Sequence, residues 1–311
     1  PMRVSILIPA YNAEDFVGAA IDSVLQQTYA DWEIVAVDDA SSDATLAALR
    51  RFASDGIHVH ANEQNLGMTG NWNRCLSFAR GELVLKLDAD DALKPRALEL
   101  LVAAFEGETF AAGIRTLTCD IDLEPFDGIA GDDIMLRNGI DPYRDTVRDD
   151  WYDFAAIGSQ LWASSAFMVR RDFLAGTGGW DETFGCASDT ELMWRVMEQR
   201  RPIAHRGTVG ALYRMRPGSV SDVYRSRGWL TWEGAVANLV SLSRVRAKRP
   251  LSRAQRMHYV RLWQRWQAGS EGRKVLPEGL RARLEARMGE VAPPPKVDVL
   301  MTRLRDGVAA R

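Results

Sequence analysis

The sequence predicts an α/β fold built on a doubly wound parallel sheet. Short unbroken apolar runs of strand length end in turn-forming or acidic residues, and segments of helical apolar spacing separate them. The order is β-α-β-α-β-α-β over roughly the first ninety residues.

Each element has its own signal. Residues 4–8 are β-branched and leucine-rich and stop at Pro9, as a buried strand would. Phe16, Val17, Ala20, Ile21, Val24 and Leu25 recur at helical spacing, which predicts an amphipathic helix over 14–27. Residues 33–37 read as a second strand running into Asp38-Asp39. A helix over 44–52 follows, with Ser41, Ser42 and Asp43 as caps. Residues 57–60 form a short third strand, and Asn65-Leu66-Gly67 turns into a helix over about 71–79. Leu83-Val84-Leu85-Lys86-Leu87 is the fourth strand, opening onto Asp88-Ala89-Asp90-Asp91, with a helix by spacing over 97–105.

The chain has 311 residues, 46% hydrophobic and 26% charged, with formal net charge -3. That suits one large or two modest domains, and the near-neutral balance gives no electrostatic case for nucleic acid. Cys75, Cys119 and Cys186 are odd in number and form no C-x-x-C pair, so neither a disulfide framework nor a zinc site is indicated. No apolar run is long enough to span a bilayer and no signal-peptide pattern opens the chain. The expectation is a cytoplasmic protein, peripheral at most at the inner face of the membrane.

Three strand ends bring Tyr11, Asp39 and Asp88/Asp90 to one edge, where open α/β sheets bind ligands. Three carboxylates within four residues repel one another unless solvated or facing cations. A hard divalent ion, Mn²⁺ or Mg²⁺, carrying a diphosphate would supply that counter-charge; the bland alternative is an acidic turn before Pro95. Tyr11 can stack on a nucleobase. A carboxylate at Asp39 accepts only from an N–H donor, and uracil, thymine and guanine offer a ring imino N–H. Neither G-x-G-x-x-G nor a P-loop motif is present. Lys86 shares a strand face with Asp88, so it points toward a donor or snorkels at a sheet margin.

Val4-Ser-Ile-Leu-Ile-Pro-Ala-Tyr-Asn12, Ser23-Val-Leu-Gln-Gln-Thr-Tyr29, Glu33-Ile-Val-Ala-Val-Asp-Asp-Ala-Ser-Ser-Asp43 and Leu87-Asp-Ala-Asp-Asp91 together resemble the family 2 glycosyltransferases, inverting enzymes of GT-A fold that use nucleotide-sugar donors. The resemblance implies a mixed sheet flanked by helices. It implies that Pro9, Tyr11 and Asp39 hold the base, that Asp88 approaches ribose or metal, and that Asp90 binds the metal. Gly67, Asn73, Lys86 and Ala89 complete the expected donor site. Where the family often carries Ala-Arg-Asn, this chain has Asn71-Trp72-Asn73, so only Asn73 matches.

The second half carries the acceptor side. Residues 119–150 break the pattern and are rich in Asp and Gly, reading as a solvated loop that shapes the acceptor pocket. Trp151, Tyr152 and Trp162 read as sugar-stacking surface or core. Residues 165–170 read as a strand. Gly178-Gly-Trp-Asp-Glu-Thr-Phe184 resembles the family's G-G-[FW]-D-E-x-F segment, which places Trp180, Asp181 and Glu182 at the acceptor. Beyond it the family has a Glu-Asp pair with the catalytic base. Ser188 stands at the glutamate and Asp189 at the aspartate, so Asp189 is the expected base. Ser188-x-x-Glu191 reads as a capping box on a helix continuing over 192–199, and the helix N-terminus is expected to lower the pKa of Asp189. Tyr213-Arg-Met-Arg-Pro-Gly-Ser-Val-Ser221 resembles a Y-R-x-H-x-x-S-x-S element with Arg216 at the histidine. Arginine cannot ligate a metal and would meet a phosphate instead.

From about residue 225 the chain reads as helical, with Trp229, Trp232, Trp263 and Trp266 beside Arg244, Arg246, Lys248 and Arg249. Such helices pack on the catalytic domain, pair two subunits, or lie on an anionic membrane. The processive members' Q-x-x-R-W signature is missing. The expected organisation is a catalytic domain over 1–222, with a donor half at 1–105 and an acceptor half at 106–222, and a helical extension over 223–311. The expected activity is transfer from a UDP-sugar, or a GDP- or dTDP-sugar, to a glycan or lipid-linked saccharide. A sugar-nucleotide pyrophosphorylase would need a basic glycine-rich loop after the first strand, and a binding protein with a decayed site would have lost the aspartates.

Overall fold

The computed structural model describes residues 2–105, 109–129, 132–155 and 161–294. The first half runs β1 (Val4–Ala10), α1 (Val17–Leu25), β2 (Trp32–Asp38), α2 (Thr45–Arg50), β3 (Ile57–Ala61), α3 (Met68–Phe78) and β4 (Leu83–Lys86). These strands pair in parallel, β1 with both β2 and β4, and β2 with β3. Apolar side chains alternate between the two faces. Ile6, Ile8, Ile34 and Leu85 pack on one side with α1 residues, and Leu7, Val35, Val37 and Val84 on the other with Trp72 and Cys75 of α3.

β1 does not stop at Pro9 as expected. The Leu87 N–H donates to the Leu7 carbonyl and pairing with β4 ends there. Pro9 faces the same side as Leu7, so its missing N–H falls where β4 has already turned away, while pairing with β2 continues to Ala10↔Asp38.

The chain continues through β5 (Ala92–Leu93), α4 (Ala97–Ala103), β6 (Ala111–Cys119), β7 (Pro125–Ile129), α5 (Asp132–Arg137), β8 (Thr146–Arg148), α6 (Trp151–Ala155), β9 (Phe167–Arg170), α7 (Arg171–Gly176), α8 (Ser188–Met197) and β10 (Ile203–Arg214). β9 runs antiparallel to both β4 and β6. The result is a mixed ten-stranded sheet in the order β3-β2-β1-β4-β9-β6-β10-β5, with β7 on β6 and β8 on β10. Residues 119–150 therefore contain short strands and a helix rather than a plain loop. Their acids hold turns and ion pairs: Asp145 pairs with Arg206 and accepts from the Gly207 N–H, and Asp150 pairs with Arg148. Trp151, Tyr152 and Trp162 are core residues, with Trp151 edge-on to Trp162.

The tail forms α9 (Val220–Ser226), α10 (Trp229–Lys248), α11 (Arg253–Ala268) and α12 (Glu278–Gly289). Val236, Leu239 and Val240 of α10 share a core with Trp194 and Met197 of α8. Arg244 bridges the buried Glu191 and Glu198. Removing one member of such a buried group costs about 3–5 kcal/mol, so these helices are bound to the sheet domain. Trp232 packs edge-on to Trp266, and Trp229 Nε1 donates to the Val275 carbonyl. Residues 295–311 of the expected extension lie outside the described residues. Among the described residues no helix is long and apolar enough to cross a membrane.

Candidate functional site

A cleft of about 1390 Å³ opens beyond the carboxyl ends of β1, β2 and β4. Pro9 and Tyr11 line it from the end of β1, Asp39 from the end of β2, and Gly67 from the turn into α3. Asp88, Ala89 and Asp90 line it from the end of β4. Glu182, Asp189 and Arg216 come to the same cleft from the second half of the chain. Residues far apart in sequence thus share one space, larger than the roughly 300–1,000 Å³ of most small-molecule sites.

The loops after β1 and β2 are tied together. The Asn12 N–H donates to Ser41 Oγ, and Asn12 Oδ1 accepts from the Ser42 N–H. Asn12 and Ala40 both have positive φ, 47° and 56°, which holds these turns tight beside Asp39. Asp39 Oδ1 accepts from Asn62 Nδ2 and the Leu66 N–H, each at 2.8 Å, so the carboxylate is fixed in the cleft wall. Gly67 has φ 78° and ψ 165°, a conformation open to glycine, and starts α3 earlier than the predicted position near Asn71. Asp43 does not cap α2 in the usual way. Its Oδ1 accepts from Thr45, while Ala44 is the capping position.

The three acids after β4 divide between two roles. Asp88 pairs with the buried Lys86, and Asp90 Oδ2 accepts from Arg216 Nε at 2.8 Å. Asp91 turns inward, taking hydrogen bonds from Ser165 Oγ and the Arg214 N–H. Burial, with Asp88 and Asp90 nearby, pushes its pKa well above the ordinary carboxylate range. The cluster is therefore tolerated by facing cations and by burying one member as a structural hydrogen-bond acceptor.

Lys86 is not a snorkelling lysine. It is 3% exposed, with Nζ 4.0 Å from the Trp72 ring centroid. It faces a small void between β4 and α8 that Asp189 also lines. Asp189 sits in the first turn of α8, half-buried, its Oδ1 accepting from the Thr190 N–H. The expected lowering of its pKa is reversed. Burial outweighs the Lys86 charge and the Thr190 hydrogen bonds, and Asp88 adds repulsion, so the pKa is raised.

The predicted capping box at Ser188 does not form. Ala187 is the N-cap, Ser188 Oγ donates to the Asp181 carbonyl, and Glu191 turns to Arg195 and Arg244. Asn73 does not line the cleft. Its amide clasps the backbone of Trp180, Oδ1 accepting from the N–H at 2.8 Å and Nδ2 donating to the carbonyl at 2.9 Å. Gly179 beside it has φ 76°, and a Cβ there would sit 2.3 Å from Asn73 Oδ1. Trp180 is buried edge-on to Trp72, and Asp181 pairs with Arg287 of α12. Of the three residues expected at the acceptor, only Glu182 reaches the cleft.

Sequence reasoning missed Glu233 of α10. Its carboxyl accepts from the Gly185 and Ala187 N–H groups, at 2.6 and 3.1 Å, and so holds the turn that carries Asp189. Burial pushes its pKa up to about 7. A charged residue inside a long apolar helix was the available signal.

The donor set suits a hard cation. Asp88 and Asp90 present carboxylate oxygens to one cleft, and Mg²⁺-type sites use one or two carboxylates completed by phosphate oxygens. No group of three or more His, Cys, Asp or Glu side chains arranged to hold a metal occurs among the described residues.

Comparison with known proteins gives the fold a name. Residues 5–128 match the model for Glycosyl transferase family 2. By that match this segment is similar to the family 2 glycosyltransferases. It contains every residue placed above at the ends of β1, β2 and β4. The chain is 41% identical over 100 residues to the Escherichia coli UDP-Glc:alpha-D-GlcNAc-diphosphoundecaprenol beta-1,3-glucosyltransferase WfgD, covering 32% of this chain and 40% of that one. It spans about two fifths of the length of the curated relatives it matches first. Staphylococcus aureus TarS 1-349 in complex with UDP-GlcNAc superposes with a TM-score of 0.63 at 18% identity, over 93% of this chain and 80% of that one. The mannosyltransferase PcManGT from Pyrobaculum calidifontis, in complex with GDP-Man and Mn²⁺, gives 0.53 at 18% identity, over 99% and 80%. The architecture is the GT-A fold, the mixed sheet that the family 2 resemblance implies.

Proposed function

We propose that the chain transfers a sugar, with inversion, from a nucleoside-diphosphate sugar to a hydroxyl of a glycan or lipid-linked saccharide. The observation that carries this is the meeting of Asp39, Asp88, Asp90 and Asp189 around one cleft. Pro9 and Tyr11 flank the base, and Asp39 accepts its imino N–H, which favours uracil over adenine or cytosine. UDP is the preferred nucleotide, with GDP and dTDP as the alternatives that share this N–H. Asp88 and Asp90 would hold Mn²⁺ or Mg²⁺, which when bound supplies positive charge against the diphosphate.

Asp189 takes the proton of the acceptor hydroxyl. The oxygen attacks the anomeric carbon as the bond to the diphosphate breaks, and the electron pair leaves with the nucleotide. Attack opposite the leaving group inverts the centre. The raised pKa makes Asp189 a stronger base than an exposed aspartate, closer to the working pH.

A thermal-shift panel of UDP-, GDP- and dTDP-sugars with and without Mn²⁺ tests the donor half. One nucleotide should raise the melting temperature, and more so with metal. No shift with any of them would sink the reading.

A further inference from the structure

The cleft extends past the strand tips to a wall built by the C-terminal helices. Ala235 and Asn238 of α10 and His258 and Leu262 of α11 line it, together with Trp194 of α8. Three polar atoms of this wall are buried with no hydrogen-bond partner among the described residues: Trp194 Nε1, Asn238 Oδ1 and His258 Nε2. Trp194 is 2% exposed and Asn238 6%. Each unpaired buried atom costs about 1–3 kcal/mol, so three of them on residues that line one cleft point to a ligand that supplies the partners.

Their chemistry defines that ligand. The indole N–H only donates and the amide oxygen only accepts. Burial and the Arg261 charge lower the pKa of His258, so its ring is neutral at pH 7 and Nε2 takes either role by tautomer. Donors and acceptors on one wall with the apolar Ala235 and Leu262 match the hydroxyls and faces of a pyranose. At the rim, Arg225, Arg265 and Arg283 line the same cleft. Arg265 lies against the Trp232 ring and Arg283 donates to the Thr183 carbonyl. None of the three forms an ion pair among the described residues.

We propose that this wall is the acceptor subsite and that it takes a saccharide bearing an anionic group. The sugar hydroxyls meet Trp194, Asn238 and His258, and the anion meets the arginine rim. The proposal rests on the transferase reading and assigns the C-terminal helices a direct part in acceptor choice.

The test uses the full chain and the donor it turns over. Acceptors are octyl hexosides, the same hexoses as octyl diphosphates, and octyl hexuronides, so phosphate and carboxylate anions are separated. Donor handling is read independently, as acceptor-free donor hydrolysis and as the calorimetric Kd of the nucleoside diphosphate. An anionic acceptor should be preferred over its neutral counterpart. Asn238→Ala and His258→Ala should each raise acceptor KM roughly tenfold, the equivalent of one hydrogen bond. The double change Arg265→Ala, Arg283→Ala should abolish the anionic preference, and the nucleotide Kd should stay within about twofold of wild type for every variant. His258 is half-buried, so its variant remains informative if Asn238→Ala fails to fold. Unchanged acceptor KM, a neutral preference, an effect confined to nucleotide Kd, or donor hydrolysis with no transfer to any of these acceptors would overturn the proposal. Failure of wild type to bind or hydrolyse any donor counts instead against the transferase reading.

Discussion

Arg216 Nε donates to Asp90 Oδ2 at 2.8 Å, so the acid expected to hold a metal already carries a cation supplied by the chain itself. Both side chains are partly exposed, 24% and 21%, and a pair of that kind is worth about 1 kcal/mol at most. Arg216→Ala should therefore tighten Mn²⁺ binding to the ligand-free protein by about fivefold, measured by electron paramagnetic resonance titration. Unchanged or weaker binding would show that the guanidinium does not compete for Asp90.

The Lys86 charge lowers the pKa of Asp189 while burial and Asp88 raise it, for a net upward shift. In the proposed role of base Asp189 works only when ionised, so kcat/KM should fall on the acid side with an apparent pKa above the ordinary value of 3.8. Lys86→Met removes the one opposing charge and should move that limb to still higher pH. A downward or absent shift would mean another group sets the limb.

Asn73 clasps the Trp180 backbone and does not face the cleft. Asn73→Ala leaves buried backbone groups unpaired and should cost about 1–3 kcal/mol, seen as a melting temperature several degrees lower. The Kd for nucleoside diphosphate should be unchanged. A large loss of nucleotide affinity at unchanged stability would restore Asn73 as a donor contact.

Glu233 has its pKa raised from 4.5 to about 7 by burial. Its neutral form is favoured in the fold, so its stability contribution is complete below pH 4.5 and is lost as pH rises through 7. At about 1.4 kcal/mol per unit the loss is on the order of 3 kcal/mol. Glu233→Gln removes the titration, while its amide nitrogen cannot accept the second backbone N–H, so the variant should be less stable overall but flatten the chemical-denaturation stability profile between those pH values. An equally steep profile in the variant would place the titration elsewhere.

The first half of the fold was legible because β1, β2 and β4 are buried on both faces and read as nearly unbroken apolar runs. Leu83 to Leu85 needs nothing beyond its own composition, and Val4 to Ile8 is interrupted only by Ser5, whose hydroxyl donates to Glu33 of β2. β6 and β10 were not legible. Arg115, His205, Arg206 and Arg214 interrupt them, and the partners that two of these meet are distant in sequence: His205 bonds Trp162 Nε1 and the Pro142 carbonyl, and Arg206 pairs with Asp145.

The grouping of Asp39, Asp88 and Asp90 at one cleft was legible for a similar reason, since each acid lies next to a strand end, whereas Asn73 and Lys86 of the same expected set turn elsewhere. The acceptor side depends on packing. Whether Trp180 faces a sugar or Trp72, and whether Asn238 meets a neighbour or the cleft, is decided by how α3, α8 and α10 pack, and no local spacing records that.

The most direct measurement follows sugar transfer by wild type and Asp189→Asn with the donor that binds, reading the anomeric configuration of the product by proton NMR. Wild type should give the inverted product, and the variant should bind the same donor with unchanged Kd while kcat falls about 10² to 10⁴-fold. A product of retained configuration, or a variant that transfers as fast as wild type, would contradict the account.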